Sequence, residues 1–502
     1  MSRAMSRAMT LAIALVAGCG PRTGPAEPPP PPAPLDWSTS GIDWSTPPQP
    51  GPEPSYRPPM PSELTLPNGL KLVVVEEHRL PLVSASLIME RAGSAYDPPG
   101  KSGLAALTAD LLDEGAGSLD SLALARELER LGASARTFAQ ADSAVLSIDM
   151  LASTSAEGLA LLVAMAMRPS MTAADIDRVR ADRVSTLRRR RDQPRAVATM
   201  VFDRVLFGSH PYAQPGAGYA ETVAALTADD VRGFYQSHYG ATGATLVVAG
   251  DITVEQLRAI IAPSLGAWAP QPAVITAVAP PVTTTRPPRL VVVDNPGATQ
   301  TVLSVGRVSM TRTDPRFVTG DVANTILGGS FTSRLNRRLR EQLGYTYGAG
   351  SSFWTGAAAG TWRVSTALQT PNTADGIREA LALVESMRTA DVAPEELTRS
   401  RTLQVRELPR NFDTNRSIVD TFAGLIADGL PLDYYQRFPE QVGTITAEQV
   451  RTFATEHWDA DGFVMILVGD LKTILDGVRG YGQGSVLELD PDGNPVRIHT
   501  TR

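Results

Sequence analysis

The chain has 502 residues, of which 43% are hydrophobic and 20% are charged, and its formal net charge at pH 7 is −7. This length and composition are typical of a folded protein with two or more domains. A modestly acidic chain without a basic stripe among its aromatic residues argues against a nucleic-acid partner. The single cysteine, Cys19, excludes a disulfide framework, so core burial has to supply the stability.

The N-terminus has the pattern of a secretory signal peptide. Arg3 and Arg7 give it a positive start, and a short apolar stretch follows at 8–16. About ten apolar residues are too few to span a bilayer permanently. Small residues precede Cys19, as in the lipobox of bacterial lipoproteins, and they predict a lipid on this thiol; the alternative is an ordinary signal with an incidental cysteine. Gly20 replaces the Asp of an inner-membrane retention signal, which favours the outer membrane.

We therefore expect a protein of the bacterial cell envelope that is anchored by lipid and has its globular part in the periplasm. The lipid is its only expected membrane contact, since no other stretch is long and apolar enough to cross a bilayer. The proline-rich segment that follows the cysteine cannot bury a core and is expected to behave as a semi-extended tether.

The stretch GLAALTADLLDEG predicts an amphipathic helix that starts and stops at glycines. Its leucines face the core, and its opposite, polar face carries Ala106, Ala109 and Asp110. A helical metal site would need ligands on such a face, but two of these three residues are alanines. Asp110, Asp113 and Glu114 together are candidates for weak binding of a hard cation. We prefer the alternative, in which these carboxylates are solvated at the end of the helix.

Residues 226–251 and 445–470 are two copies of one pattern. They are identical at ten of 26 positions, at a constant spacing of 219 residues. Each copy predicts a capped helix that carries a histidine, His238 or His457, and then a buried strand that ends on Gly-Asp. A period this long indicates a duplicated domain. A duplicated structural role explains the two histidines better than metal ligation does.

Strands and helices are mixed without strict alternation, which predicts an α+β fold with two homologous domains, each a largely antiparallel sheet packed with helices. Strand-like segments such as LKLVVVEE and PLVSASLIME open the first half, and RLVVVDNP and TQTVLSVGRVSM open the second. The predicted boundaries are 1–19 for the signal peptide, 20–61 for the tether, 62–270 for the N-terminal domain, 271–288 for a linker, 289–480 for the C-terminal domain and 481–502 for a tail.

Together these features resemble the insulinase or pitrilysin type of metallopeptidase, the inverted zincins, whose relatives include the mitochondrial processing peptidase and the core subunits of the cytochrome bc1 complex. The resemblance covers about 62–480 and rests on LPNGLKLVVVEEHRLPLVSASLIMERAGSAYDPPGKSGLA, FGSHPYAQP and GGSFTSRLNRRLREQLGYTYG. It implies the duplicated processing-peptidase-like fold. Active members carry His-x-x-Glu-His on the helix after Gly-Leu-Ala, where the histidines bind zinc and the Glu activates its water. A Glu well downstream completes the ligand set.

In this chain the resemblance places the first His at Ala106, the Glu at Ala109, the second His at Asp110 and the downstream Glu near Thr186 or Leu187. Alanine cannot bind a metal or transfer a proton, and one Asp cannot hold zinc alone. The resemblance therefore implies a degenerate zinc site and no catalytic residue or metal on this chain. The sequence also lacks the Gly-x-Ser-x-Gly elbow of a serine hydrolase.

The second half retains a pair of donors that the resemblance associates with substrate. Family members carry an Arg and a Tyr seven residues apart, and both hydrogen-bond the substrate backbone near the zinc. Arg340 and Tyr347 have this spacing, as do Arg338 and Tyr345; the Arg-Glu that opens the stretch favours Arg340 and Tyr347. Such donors can polarise a scissile carbonyl and stabilise its oxyanion. The alternative is structural, with the Arg capping a helix and the Tyr packing on the sheet.

Short bacterial members of the family often divide the zinc helix and the Arg/Tyr pair between two chains. The resemblance therefore implies a non-catalytic subunit of a periplasmic heterodimeric zinc metallopeptidase. Zinc is then expected on a homologous partner that carries His-x-x-Glu-His, and peptides are the expected substrates. Addition of the peptide as a strand at a sheet edge is one mode of binding that fits this role. A stand-alone structural or peptide-binding envelope lipoprotein is the alternative, and an active zinc peptidase is a third reading. The sequence leaves open a homodimer or heterodimer, the partner and the substrate.

Overall fold

The computed structural model describes residues 56–270, 276–280 and 289–500. The signal peptide, Cys19 and most of the predicted tether lie outside these ranges. Among the helices of the described ranges, none combines the length and the apolar character needed to cross a membrane. The described chain forms two halves, each built around one large sheet.

The first half contains a six-stranded sheet with the strand order β1-β2-β8-β3-β7-β6, and a separate ribbon of β4 and β5. The strands are β1 (Ser62–Thr65), β2 (Lys71–Glu76), β3 (Leu82–Glu90), β4 (Gly115–Ala116), β5 (Leu119–Asp120), β6 (Ser134–Ala139), β7 (Ser143–Leu151) and β8 (Ala244–Gly250). The helices are α1 (Leu104–Asp110), α2 (Ser121–Leu131), α3 (Ser155–Met167), α4 (Ala173–Arg190), α5 (Pro194–Phe207), α6 (Ala220–Ala225), α7 (Ala228–His238) and α8 (Val254–Leu265).

The second half contains a seven-stranded sheet with the order β11-β12-β10-β13-β9-β14-β15. Its strands are β9 (Leu290–Asp294), β10 (Gln300–Ser309), β11 (Thr346–Thr355), β12 (Gly360–Gln369), β13 (Val464–Gly469), β14 (Ser485–Leu489) and β15 (Pro495–Thr500). Its helices are α9 (Phe317–Asn324), α10 (Arg334–Asn336), α11 (Thr373–Thr389), α12 (Pro394–Glu407), α13 (Asn415–Ala427), α14 (Tyr434–Thr444), α15 (Ala447–His457) and α16 (Leu471–Val478). Two π-helical turns, Thr325–Gly329 and Arg337–Gln342, continue α9 and α10.

Antiparallel pairing dominates both sheets, as the sequence predicts. In the first sheet only the β2–β8 pair is parallel, and in the second sheet β9 runs parallel to β13 and to β14. The central strands are runs of valine, leucine and isoleucine that are buried on both faces, because helices cover each side of the sheet. The predicted α+β fold with two homologous halves is confirmed.

The internal repeat appears as matching elements. Helices α7 and α15 begin and end at equivalent residues, and each is followed by a buried central strand, β8 or β13. Both helices start with a capping box: the Thr227 amide donates to Asp230 Oδ2 (2.9 Å), and the Thr446 amide donates to Gln449 Oε1 (2.7 Å). The same local pattern, present in both copies of the repeat, thus gives both helices the same kind of N-terminal cap.

One helix of each half packs on the sheet of the other half. Helix α5 packs against β10 and β13, and its Phe202 shares a buried apolar cluster with Val293 and Ile466. Conversely, α13 packs against β3 and β8, and its Phe422 lies in a cluster with Ile88. We call this arrangement the helix exchange. In this arrangement each sheet is partly covered by a helix from the other half.

Arg416 of α13 adds polar bonds to this exchange. Its guanidinium donates to the Ser86 hydroxyl (2.8 Å), the Ile148 carbonyl (3.0 Å) and the Asp149 carboxylate (2.9 Å) of the first sheet. An arginine with this many fixed acceptors is oriented as well as paired. The exchanged helix is therefore fixed in position and not only covered by apolar contacts.

The predicted C-terminal tail, residues 481–502, contains two strands that continue the second sheet. Strand β14 pairs with β9, and β15 pairs with β14. Val486 and Leu489 of β14 are buried, because their apolar side chains reach the sheet interior. The turn between β14 and β15 also contacts the first half, since Arg204 Nη1 donates to the Asp492 carbonyl (2.6 Å).

Candidate functional site

Helix α1 begins at a tight turn whose backbone is held by one carboxylate. Asp97 accepts hydrogen bonds from the amides of Gly103 and Ala105, both at 2.7 Å. Gly103 has a φ of +96°, and a Cβ there would lie 2.7 Å from a methyl group of Val223, so only glycine fits. Burial raises the pKa of Asp97 to about 7. The turn thus fixes where the helix starts.

The polar face that the sequence predicts for this helix is not exposed. Ala106 and Ala109 are only 5% and 0% exposed, because α4 and α7 pack against α1 on one side and β6 and β7 on another. The helix is also shorter than predicted and ends at Asp110, although Leu111 and Leu112 remain buried in the turn that follows. The prediction of an amphipathic helix was therefore wrong, since small side chains let the neighbouring elements close over it.

A salt bridge occupies the place where the resemblance positions the zinc ligands. Arg183 of α4 donates from Nε to Asp110 Oδ2 (3.0 Å), and its Nη2 also bonds this carboxylate. The same guanidinium donates to the carbonyls of Ala106 (3.2 Å) and Ala217 (3.3 Å). These residues do not fit zinc, because the one carboxylate is already paired with a fixed cation and the alanines offer no ligand atom.

The two candidates for the downstream ligand position lie on different faces of α4. Thr186 is exposed, and its hydroxyl accepts a hydrogen bond from Arg189 (3.0 Å). Leu187 is buried and lies four residues after Arg183, so the two share one face of the helix. Leu187 is thus the position on the α1 side, and its aliphatic side chain offers no ligand atom.

The carboxylates at the end of α1 are bound to separate partners. Asp110 pairs with Arg183, Glu114 with Arg178, and Asp113 lies 3.5 Å from the Thr137 hydroxyl. In the part of the chain that the structure describes, no three His, Cys, Asp or Glu side chains are grouped so that they could hold a metal ion. Burial, together with the like charge of Glu114, raises the pKa of Asp113 to about 6.

We expect Asp113→Asn to stabilise the protein at pH 8 by about 1–2 kcal/mol and to change it little at pH 4. The folded-state pKa of about 6 lies above the unfolded value of about 3.9. Folding therefore favours the protonated acid, and the wild type loses stability as the pH rises through this interval. Thermal unfolding of both proteins across the interval measures the effect. Asp182→Asn, at an exposed position of α4, is the control; equal pH profiles for wild type and Asp113→Asn would contradict the assignment.

Arg338 and Tyr345 belong to the framework of the second half. Arg338 Nε donates to Glu379 Oε2 (2.8 Å), and Nη1 donates to Gln342 (3.1 Å). Tyr345 is half-buried and packs against the apolar core. This alternative pair therefore already has structural partners.

Arg340 and Tyr347 are exposed. Tyr347 is the second residue of the edge strand β11 and lies in the irregular stretch between Thr346 and Ala349. It has 88% of its surface accessible, so it does not pack on the sheet. Arg340 lies in the π-helical turn, and its Cζ stacks 4.7 Å from the ring centroid of Phe331, itself exposed. Within the described ranges no hydrogen bond or ion pair engages the polar side-chain atoms of Arg340 or Tyr347. Phe331, Arg340 and Tyr347 are called the donor patch below.

Within the described residues, the first sheet has an unpaired edge beside a groove. Strand β6 forms one edge of the first sheet, and no strand of the described ranges pairs with its outer side. Helix α1 packs against β6. A groove of about 290 Å³ between β6 and α13 is lined by Arg136, Phe138 and Arg416, among others. A free edge beside a groove can accept an extended peptide as an additional strand.

His238 and His457 have the same structural surroundings. Each ring stacks on the phenylalanine four residues before it, Phe234 at 4.0 Å and Phe453 at 4.6 Å between centroids. His238 Nδ1 also bonds the Arg91 carbonyl (2.6 Å). Burial lowers the pKa of both histidines. A duplicated packing role, as predicted, accounts for both.

Sequence reasoning missed Arg183 and Phe331. Arg183 lies one helical turn before Leu187, and an Asp at the second histidine position is a complementary charge that could have indicated it. Phe331 precedes Arg340 by nine residues and carries no sequence signal of its own.

Comparison with known families covers most of both halves. The family model described as "Insulinase (Peptidase family M16)" matches residues 72–215, and the model described as "Peptidase M16 inactive domain" matches residues 225–403. Together the two matches span well over half of the chain and include α1. The chain belongs to the insulinase family of peptidases.

Some relatives within the insulinase family are named as zinc proteases, and one is named as a non-peptidase homolog. An uncharacterized zinc protease of Streptomyces coelicolor is 27% identical over 56% of this chain and 62% of its own length, so the match spans less than two thirds of that relative. The non-peptidase homolog YmxG of Helicobacter pylori is 21% identical over 81% of this chain and 93% of its own length.

Solved structures agree with this assignment. The peptidase M16 inactive domain from Pseudomonas fluorescens is 26% identical, with a TM-score of 0.75, and covers 82% of this chain and 98% of its own. A chain of Complex III2 from Candida albicans has a TM-score of 0.71 over 84% of this chain and 98% of its own; at 17% identity it shows the fold alone. Within the insulinase family this chain is an inactive homologue, with Ala106, Ala109 and the Arg183–Asp110 pair at the degenerate site.

Proposed function

We propose that this chain is the non-catalytic subunit of a periplasmic two-chain zinc metallopeptidase. It forms half of a substrate chamber between the two chains and holds the peptide substrate. A homologous partner with His-x-x-Glu-His carries the zinc and the general base. The zinc chemistry then belongs entirely to that partner. On this chain, substrate binding uses the donor patch and a free sheet edge.

The observation that carries this proposal is the exposure of Arg340 and Tyr347. A phenol that is 88% exposed at the start of an edge strand contributes little to the stability of its own chain. The neighbouring pair of identical spacing is engaged with Glu379 and the core instead. Donors whose polar atoms make no hydrogen bond or ion pair within the described ranges fit a role toward a ligand, such as the backbone carbonyl of a bound peptide.

The free edge of β6 supports peptide binding as well. An extended peptide added there would bond main chain to main chain, and its alternate side chains would enter the groove lined by Arg136 and Phe138. The Arg183–Asp110 salt bridge supports a non-catalytic role for this chain, because its fixed cation lies where the resemblance positions the zinc ion.

Co-purification from the native envelope tests the proposed subunit role. We expect the full chain, isolated under gentle conditions, to retain a homologue with His-x-x-Glu-His in about equal amount. The pair should cleave peptides, and neither chain should do so alone at a comparable rate. Isolation of this chain by itself or only as a homodimer, with no peptidase activity gained on adding such homologues, would refute the proposal.

A stand-alone structural lipoprotein is the second candidate. The similarity to a chain of Complex III2 favours it, since that assembly contains the same fold. In this case the same isolation would yield the chain without a peptidase homologue.

Lipid attachment is a separate prediction about location. We expect the mature chain to begin at a lipid-modified Cys19, to fractionate with the outer membrane and to face the periplasm. Cys19→Ala should release it from the membrane without changing its folded body, because Cys19 precedes the described residues by a long proline-rich stretch. Mass spectrometry of the N-terminus and fractionation provide the measurement. An unmodified Cys19 thiol in the mature protein would disprove this mode of anchoring.

A further inference from the structure

A small cavity lies between the two halves, away from the donor patch. Its volume is about 190 Å³, and it is lined by the end of α4, one face of α5, the loop at 215–220 and the turn between β14 and β15. It opens to solvent on the side where Arg191 and Thr199 are exposed. Four of its lining residues, Ala196, Thr199, Met200 and Asp203, follow one another at helical spacing along α5. The cavity is therefore built on a rigid element.

Asp203 is the unusual member of this stripe. Its side chain has no hydrogen-bond or ion-pair partner among the described residues, and its accessible surface borders the cavity. Burial raises the pKa of Asp203 to about 7, and Arg363 is the charge that opposes this shift. Arg363 itself donates to the Thr199 hydroxyl (3.1 Å) and stacks over Phe202 (5.5 Å from Cζ to the ring centroid), so its guanidinium lies beside this stripe without bonding the Asp203 carboxylate.

The remaining walls are mostly apolar and held in place. Leu187, Val197 and Pro491 contribute hydrocarbon surface. At the rim, Arg191 pairs with the Asp492 carboxylate (2.6 Å), and Arg204 holds the Asp492 carbonyl. These bonds tie the turn of the second half to α4 and α5 of the first half. The cavity is thus preformed. The charge of Arg191 is neutralised by Asp492, and Arg190, the other arginine of the lining, is exposed to solvent.

We propose that this cavity binds a small organic ammonium ion whose apolar part is about the size of a benzene ring. An unpartnered carboxylate at an apolar cavity needs a charged donor, and an ammonium group supplies one while its hydrocarbon part covers the walls. A dry apolar cavity of about 150 Å³ accommodates benzene, so the volume here suits a ring with one aminomethyl substituent. The proposal is independent of the peptidase role, because the donor patch takes no part in it.

Titration calorimetry of the full chain with benzylamine tests the proposal, with benzyl alcohol as the neutral analogue of the same shape. We expect benzylamine to bind about 10–100-fold more tightly than the alcohol at mildly alkaline pH. Asp203→Asn should abolish this preference and leave the protein at least as stable, because it removes a carboxylate that is costly to ionise. Ala196→Leu, which fills the cavity, should weaken both ligands.

Asp182→Asn is the matched control, since Asp182 is an exposed carboxylate of α4. It should leave both affinities unchanged. Three results would each overturn the proposal: no benzylamine binding at millimolar concentration, equal binding of the amine and the alcohol by the wild type, or a preference that survives Asp203→Asn in a protein that is at least as stable as the wild type.

Discussion

Arg340→Ala and Tyr347→Phe should each lower kcat of the reconstituted two-chain peptidase by about 10²–10³. The physical reason is that an oxyanion-type donor acts in a preorganised site, where its loss costs roughly 3–4 kcal/mol of transition-state stabilisation. The melting temperature of the isolated chain should stay nearly unchanged, because both side chains are exposed. Steady-state kinetics and thermal unfolding of the same proteins give the two readouts.

Arg338→Ala and Tyr345→Phe are the matched controls, at the same spacing two residues earlier. Arg338 is bonded to Glu379, so Arg338→Ala should lower stability more than turnover. Tyr345→Phe keeps the ring that packs against the core, so it should change neither stability nor turnover. If the kinetic loss follows Arg338 and Tyr345 instead, the donor pair is the other one. Normal turnover in all four variants, with the complex intact, would rule out a shared site.

Phe422→Ala should destabilise the protein by about 3–5 kcal/mol. The ring is 1% exposed and lies in the apolar cluster through which α13 covers the first sheet. Because of the helix exchange, we expect the loss to reach both halves: amide hydrogen exchange should accelerate in β3 and β8 as well as in α13 itself. Denaturant unfolding and exchange measured by mass spectrometry together test this expectation.

Leu122→Ala provides the control for this substitution, because Leu122 is an exposed apolar residue of α2. It should change the free energy of unfolding by no more than about 0.5 kcal/mol. A Phe422→Ala protein that loses protection only in the second half, with the first sheet as slow to exchange as in the wild type, would mean that the two halves are energetically separate.

Local signals in the sequence predicted the parts of the fold that depend on local physics. The valine-rich runs became β2, β3, β9 and β10, and the Thr-Ala-acid patterns became the caps of α7 and α15. The helix exchange could not be predicted, since no residue near α5 or α13 indicates which sheet will bury its apolar face. The same limit applies to α1, whose alanines are buried by elements distant in sequence.

The candidate site was predictable in its position and not in its details. Spacing alone left two Arg/Tyr pairs equivalent, and Glu379, a partner 41 residues from Arg338, distinguishes them in the structure. Arg183 contacts Asp110 across 73 residues of chain, so a search for ligand-like residues at family positions could not detect it.

The helix exchange also limits how far either half can fold by itself. Without α13 one face of the first sheet stays bare, and α5 has no surface to pack on until β10 and β13 are in place. Neither half can therefore finish early, and the closing contacts join residues more than 250 positions apart, such as Arg416 and Asp149 at a separation of 267. Such distant contacts make folding slow. Completion of one half therefore waits for nearly the whole of the other, and until then the bare sheet faces are prone to aggregation.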